Sequence, residues 1–156
     1  MNNTTEIKMK YLKIGAIILP ILGIIVSGYL WYNHNVLLNS ENGDGLIPCT
    51  FGNSFNCDIV NSSSYSEIYG VPIAGLGLLS YVIVLLIALW KDARKWGVLL
   101  GVTGLMSLYS ISLFYISKFV IGSYCIFCIV SYAITFGLLG IAYLGFSRTK
   151  GSASRD

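Results

Sequence analysis

Long apolar runs, separated by short polar segments, dominate this chain. Four runs contain no Asp, Glu, Lys, Arg or His, namely residues 14–32, 71–90, 96–117 and 119–146. A helix needs about 20 apolar residues to cross the hydrocarbon core of a bilayer, at a rise of about 1.5 Å per residue. The pattern therefore predicts an all-α integral membrane protein, in which four transmembrane helices form one bundle and one domain over residues 1–156.

The composition supports lipid as the solvent of this chain. Apolar residues make up 55% of the sequence and charged residues only 11%, and the mean hydropathy is +0.73. An ordinary soluble domain has about 25% charged residues. The net charge of +3 is too small and too scattered for a nucleic-acid interface, so we exclude nucleic acid as a partner.

The basic residues predict which side of the membrane each helix end faces. All but one of the ten Lys and Arg residues precede the first run, join the second to the third, or follow the fourth. The connection 33–70 has no Lys or Arg, and Lys118 is the one cation left on that side. Because basic residues in short loops are retained in the cytoplasm, we expect both termini to be cytoplasmic.

The outer loop, residues 33–70, is expected to form a cap over the bundle, since it is too small for a core of its own. Ser64 and Glu67 have the spacing of a capping box. This spacing predicts a short helix that begins there and ends before Gly70.

The four cysteines are predicted to lie on one side of the membrane. Cys49 and Cys57 belong to the outer loop, and Cys125 and Cys128 form a C-x-x-C near the outer start of the fourth run. Residues three apart share a helix face, so the second pair could be bridged and face the bundle interior. The positive end of the helix would help Cys128 to ionise. This arrangement indicates thiol-disulfide exchange in an oxidising compartment.

Tyr132 is a candidate binding residue, because it lies one turn deeper than Cys128 on the same predicted face. Its hydroxyl could donate a hydrogen bond to a carbonyl oxygen in an apolar pocket, although a tyrosine at such a position more often only packs. The cysteines also admit two alternative roles. Each could be a small buried apolar residue, or the four could hold zinc. Because four thiolates would bring several charges partly into hydrocarbon, we expect no metal.

These residues together resemble the vitamin K epoxide reductase family. The resemblance rests on Cys49, Cys57-Asp58, Ser63, Tyr65, Gly70, Pro72, Tyr124-Cys125-Ile126-Phe127-Cys128 and Ser131-Tyr132-Ala133, and it covers the chain from the first run to the fourth. It implies a four-helix bundle around a quinone, with the C-x-x-C as redox centre. The chain looks like a stand-alone prokaryotic-type homologue without a thioredoxin-like domain. A thioredoxin-like (DsbA-like) thiol oxidase is therefore expected as a separate partner chain.

The resemblance also implies a role for each site residue. Cys128 would contact the quinone, and Cys125 would exchange with Cys57. Cys49 would resolve onto Cys57 and receive electrons from the outside thiol protein. Tyr132 would hydrogen-bond one quinone oxygen. Ser66 falls where the animal enzymes carry an asparagine for the second oxygen, and it is the candidate for that contact.

The implied function is the transfer of two electrons from a partner dithiol to a membrane quinone, which supports disulfide formation in exported proteins. The expected location is a plasma membrane, with the cysteines on the extracytoplasmic side and menaquinone, ubiquinone or vitamin K as the quinone. One alternative is a DsbB-type disulfide oxidase, although the C-x-x-C of that family lies in the first outer loop. Another alternative, if the host is eukaryotic, is a vitamin K quinone or epoxide reductase. A membrane scaffold or transporter subunit is the non-enzymatic alternative, but no charged residue within the spans supports transport.

Overall fold

The computed structural model describes residues 3–39 and 55–153, so Cys49 lies outside the described residues. The described elements follow one another along the chain as four long helices, with a small cap between the first two. They are α1 (Asn3–Asn39), α2 (Cys57–Ser62), β1 (Glu67–Ile68), β2 (Val71–Pro72), α3 (Ile73–Leu89), α4 (Lys95–Ile116), a π-helical turn (Ser117–Ile121) and α5 (Ile126–Ala153).

The four long helices pack as a bundle whose outer surface is apolar. Helix α1 contacts α3 and α5, and α4 contacts α3 and α5. Large apolar side chains on every long helix face outward, including Ile25, Leu86 and Leu105, which are 61%, 62% and 71% exposed. Small hydroxyl residues such as Thr103 and Ser107 are buried instead, and they donate to carbonyl oxygens one turn earlier in their own helix. Such a surface requires lipid, and the chain is a membrane protein.

Three helical stretches are long and apolar enough to cross a membrane, at Glu6–Leu37, Lys95–Ile121 and Ile126–Gly151. Helix α3 has 17 residues, which span about 26 Å at 1.5 Å per residue, somewhat less than the hydrocarbon core of about 30 Å. The all-helical bundle is therefore as expected, whereas a full crossing by α3, and with it the count of four spans, stays a prediction.

The expected start of the fourth helix at residue 119 is wrong. Residues 119–121 belong to the π-helical turn that continues α4, and this turn ends at Gly122, whose φ of 73° suits a glycine. The Ser117 hydroxyl donates to the Ser123 carbonyl oxygen at 2.6 Å and closes the connection. Helix α5 begins only at Ile126, so Cys125 lies just ahead of the helix and not inside it.

The cap has a short helix, but not where the capping box predicted it. Helix α2 begins at Cys57, and the Asn56 side chain caps it by accepting from the backbone N–H groups of Asp58 and Ile59, each at 3.1 Å. Glu67 instead begins the hairpin of β1 and β2. The chain reverses through two residues with positive φ, Tyr69 and Gly70, a geometry that fits tight hairpins.

Polar contacts tie the cap to the C-terminal end of α1. The ring of His34 is buried, with Nδ1 2.8 Å from the carbonyl oxygen of Asn61 in α2 and Nε2 2.9 Å from Oε1 of Glu67 in β1. Asn33 donates to Oδ1 of Asp58 at 3.3 Å. Both parts of the cap, α2 and the hairpin of β1 and β2, are therefore anchored to one helix.

Candidate functional site

Cys125 is the N-terminal capping residue of α5. Its carbonyl oxygen accepts the first helical hydrogen bond, from the N–H of Ile129 at 3.1 Å. Its Sγ accepts from the N–H of Cys128 at 3.4 Å, the place that a serine or aspartate oxygen takes in other helices. The N–H groups at a helix start favour negative charge, so they stabilise a thiolate at Cys125. Cys128 lies in the first turn of α5, so the expected help of the helix start to its ionisation stays a prediction.

Cys57 and Cys125 are brought together by backbone pairing between the segments that precede them. Phe55 forms an isolated parallel bridge with Tyr124, and the N–H of Asn56 donates to the Tyr124 carbonyl oxygen at 3.1 Å. Cys57 directly follows Asn56, and Cys125 directly follows Tyr124. They are 1% and 2% exposed, respectively, and belong to one buried cluster. A residue of the cap and the N-cap of α5 therefore share one apolar environment.

A cavity of about 160 Å³ lies between the cap and the helices, beneath the C-x-x-C. Cys128 lines this cavity, and Cys125 is not among its lining residues. Tyr132 and Ser66, the two further residues predicted to bind a quinone, line it as well. Most of the remaining wall is apolar, with Leu30 among its residues. The cavity can hold a ring-shaped molecule, since an apolar cavity of about 150 Å³ is large enough for benzene.

The hydroxyl groups at the cavity differ in what they can offer a ligand. In the described part of the chain, neither the Tyr132 hydroxyl nor that of Tyr109 on α4 has a hydrogen-bond partner, so both can donate to a bound molecule. The Ser66 hydroxyl already donates to the Ser63 carbonyl oxygen at 2.7 Å. Ser66 can therefore accept a hydrogen bond in this arrangement, but it is a poor donor to a carbonyl oxygen.

The sequence alone did not identify Tyr81, which lines the cavity and holds α3 against α5. Its hydroxyl lies 2.8 Å from the carbonyl oxygen of Ser131, from Ser131 Oγ and from Thr135 Oγ1. Its ring lies against Gly23 of α1, where even a methyl group would come within 2.6 Å of the ring. Tyr81 thus links three helices just below the C-x-x-C. Its position within a uniformly apolar run left no signal, and the same holds for Tyr109.

A comparison with protein-family models matches the model described as “Vitamin K epoxide reductase family” to residues 15–143. The match begins within α1, ends within α5 and includes all of the candidate site residues. The chain belongs to the vitamin K epoxide reductase family. This family consists of membrane oxidoreductases that work in disulfide or quinone chemistry, so the resemblance that the cysteines suggested is confirmed.

Membership in the family gives the geometry of the site a chemical meaning. Two free cysteines, the buried Cys125 and the half-buried Cys128, lie at the start of one helix. Cys128 lines a ring-sized cavity, and Cys125 shares a buried cluster with Cys57. No group of three or more His, Cys, Asp or Glu that could hold a metal occurs among the residues that the structure describes. The individual role of each cysteine and tyrosine stays a prediction.

Proposed function

We propose that the chain is a membrane thiol-disulfide oxidoreductase that passes two electrons from the dithiol of a thioredoxin-like protein to a membrane quinone. The observation that carries the proposal is that the two cysteines of the C-x-x-C have different surroundings. Cys128 lines the cavity and packs against the edge of the cluster that contains Cys57, whereas Cys125 belongs to that cluster and does not line the cavity. One sulfur is thus available to a ring-shaped substrate, and the other is available to a second cysteine.

The proposed exchange begins with a disulfide between the loop cysteines, which the partner dithiol reduces. The Cys57 thiolate then attacks Sγ of Cys125 in the oxidised C-x-x-C, breaks the Cys125–Cys128 bond and releases Cys128 as a thiolate. Cys49 attacks Cys57, restores the loop disulfide and releases Cys125. The N–H of Cys128 and the start of α5 stabilise the negative charge that forms on Cys125 when it leaves. Two electrons then reside in the C-x-x-C dithiol.

The quinone, when bound in the cavity, takes up two electrons and two protons and leaves as a hydroquinone, while the Cys125–Cys128 disulfide is restored. The chain's own contribution is to hold the ring against Cys128 and to exclude water with the cap. Tyr132 would donate to one carbonyl oxygen. For the second oxygen we prefer Tyr109 to Ser66, because the Ser66 hydroxyl already donates to a backbone carbonyl. Menaquinone, ubiquinone and vitamin K are all compatible with this arrangement.

We also propose that the protein lies in a plasma membrane with both termini in the cytoplasm and the cysteines outside. The distribution of basic residues supports this orientation, and disulfide chemistry needs an oxidising compartment. The thioredoxin-like partner would then be an exported protein. A membrane-impermeant maleimide added to intact cells should label the reduced cysteines, and labelling only from the cytoplasmic side would contradict this orientation.

A trapping experiment tests the order of the exchange. In a Cys128→Ala variant, Cys125 lacks its neighbour, so a Cys57–Cys125 disulfide should accumulate and be found by mass spectrometry after acid quenching. The matched control is Cys125→Ala, in which Cys128 keeps its place at the cavity and should not form a disulfide with Cys57. Equal trapping of Cys57 by Cys125 and Cys128 would contradict the proposed order.

A turnover assay tests the reaction itself. Purified protein in detergent, given a reduced thioredoxin-like protein and a short-chain quinone, should convert the quinone to hydroquinone, as seen in its ultraviolet absorbance. Cys128→Ala should abolish this conversion. The same assay with a vitamin K epoxide separates the epoxide-reducing alternative, because only that activity yields the quinone as product. Absence of dithiol-dependent reduction of any quinone would refute the proposed function.

A further inference from the structure

The end of the bundle opposite the cysteines carries a half-buried arginine, one nitrogen of which is buried without a partner among the described residues. The Nη1 atom of Arg148 on α5 is buried and has no hydrogen-bond partner among the residues that the structure describes. Such N–H groups are uncommon in proteins, because the guanidinium loses its hydration and gains nothing in return. The ion pairs of the described residues are His34 with Glu67 and Arg94 with Asp92, so no described carboxylate neutralises Arg148.

The packing of α1 against α5 defines what lies opposite this arginine. A side-chain carbon on Gly15 would come within 2.8 Å of Ile141, and one on Gly137 would come within 3.3 Å of Leu19. From the first contact to the second, the residue number in α1 increases by four and that in α5 decreases by four. The two helices are therefore antiparallel, and they keep one register along this interface.

This register places a second cation at the level of Arg148. About two helical turns from the Gly15 contact towards the N-terminus lies Lys8, and about two turns from Ile141 towards the C-terminus lies Arg148. Two turns return a residue to nearly the same face, so Lys8 and Arg148 lie at the same level on either side of the α1–α5 interface, and we call this end of the interface the crevice. Lys8 is exposed and has no ion-pair partner among the described residues.

The depth of this crevice suits a lipid headgroup. The apolar run of α1 begins at residue 14 and that of α5 ends at residue 146, so both cations lie just beyond the hydrocarbon core. Basic pockets between membrane helices at this depth bind the phosphate of anionic lipids. A phosphate offers the oxygens that Nη1 lacks, and its planar contact with a guanidinium can form two hydrogen bonds at once.

We propose that Arg148 and Lys8 form a binding site for an anionic phosphate group between α1 and α5, as supplied by an anionic phospholipid or by free phosphate. The site lies at the opposite end of the bundle from the cysteines and does not depend on their chemistry. Its occupant would fasten the first and last long helices of the bundle to each other.

The experiment compares the purified chain in nanodiscs of phosphatidylcholine alone with nanodiscs that contain increasing fractions of phosphatidylglycerol. The thermal unfolding midpoint of the wild type should rise by about 3 °C with the anionic lipid. Arg148→Gln should need about fivefold more phosphatidylglycerol for the half-maximal rise. Lys91→Gln removes an exposed cation of the same end of the bundle and should leave the response unchanged.

Further arms identify the source of the phosphate and guard against misfolding. Inorganic phosphate added to neutral nanodiscs should not raise the midpoint if the ligand is a lipid, and a rise there would assign the site to a soluble phosphate. Lys8→Gln, at the exposed side of the crevice, repeats the test if Arg148→Gln fails to fold. Equal effects of the Arg148 and Lys91 substitutions, or no rise in the wild type with either source of phosphate, would overturn the proposal.

Discussion

Replacing His34 by alanine should loosen the cap from α1 and thereby slow the proposed transfer of electrons through Cys57. The His34 side chain is 2% exposed, and its two ring nitrogens contact the Asn61 carbonyl oxygen at 2.8 Å and the Glu67 carboxylate at 2.9 Å. A carbonyl oxygen can only accept, so Nδ1 must donate to Asn61. One side chain thus holds both α2 and β1.

The expected loss of unfolding free energy is about 3 kcal/mol. Leaving the buried Asn61 carbonyl oxygen without its donor costs about 1–3 kcal/mol. The contact with Glu67 contributes about 1 kcal/mol or less, because the Glu67 side chain is 35% exposed and water can replace the ring. A loss of 1 kcal/mol shifts the unfolding midpoint of a chain of this size by about 2–4 °C, so the midpoint should fall by about 6–12 °C.

Thermal unfolding of the purified variants measures this loss, and hydrogen exchange over residues 57–62 reports whether the cap is the part released. Asn35→Ala is the matched control, since Asn35 is the next residue, is exposed and bonds only its own helix. It should change the free energy by less than about 0.5 kcal/mol. Glu67→Gln keeps an acceptor for Nε2 and should lose about 1 kcal/mol. If His34→Ala unfolds at the same temperature as Asn35→Ala, the argument from the two hydrogen bonds is refuted.

Three further substitutions test the site. Tyr132→Phe should raise KM for quinone about five- to tenfold without lowering the unfolding midpoint, because the lost hydroxyl bonds only the ligand. Tyr143, on the same helix, is exposed, so Tyr143→Phe should change neither KM nor the unfolding midpoint. Cys125→Ser should abolish quinone reduction but keep the unfolding free energy of the wild type, because a serine hydroxyl can cap α5. Cys125→Ala should lose about 1 kcal/mol of unfolding free energy, because alanine cannot form this cap. Tyr81→Phe should lower the unfolding free energy by about 1 kcal/mol, because it removes the contacts of the hydroxyl with Ser131 and Thr135, while the Ser131 carbonyl oxygen keeps the Thr135 hydroxyl as a donor. A change below about 0.5 kcal/mol, as expected for an exposed tyrosine, would contradict the role of this hydroxyl in holding α3 against α5.

Much of the site could be anticipated because it depends on residue type and spacing along one chain. The C-x-x-C and the position of Tyr132 one turn below Cys128 are both local properties. The failures concern places where the chain changes direction. The apolar run 119–146 passes through the turn at Gly122 without any change in composition, because lipid and a buried turn accept the same side chains. The true start of α5 was therefore invisible, and so was the capping role of Cys125.

The cap shows the same limit. Ser64 and Glu67 have the spacing of a helix start, but the turn at Tyr69 and Gly70 pairs two short strands and takes Glu67 to His34. No local pattern signals that contact, since it joins two segments that are distant along the chain.

The amino-acid pattern alone establishes a membrane protein with paired cysteines and assigns it to a redox family, because hydrophobic length and sulfur spacing are encoded residue by residue. The burial of Cys125 beside Cys57, the cavity that Cys128 lines, the contacts of Tyr81 and the Arg148 Nη1 atom without a partner among the described residues come from the folded arrangement. Each of these features depends on which faces of the helices are in contact. Packing between segments that are distant in the sequence decides those contacts.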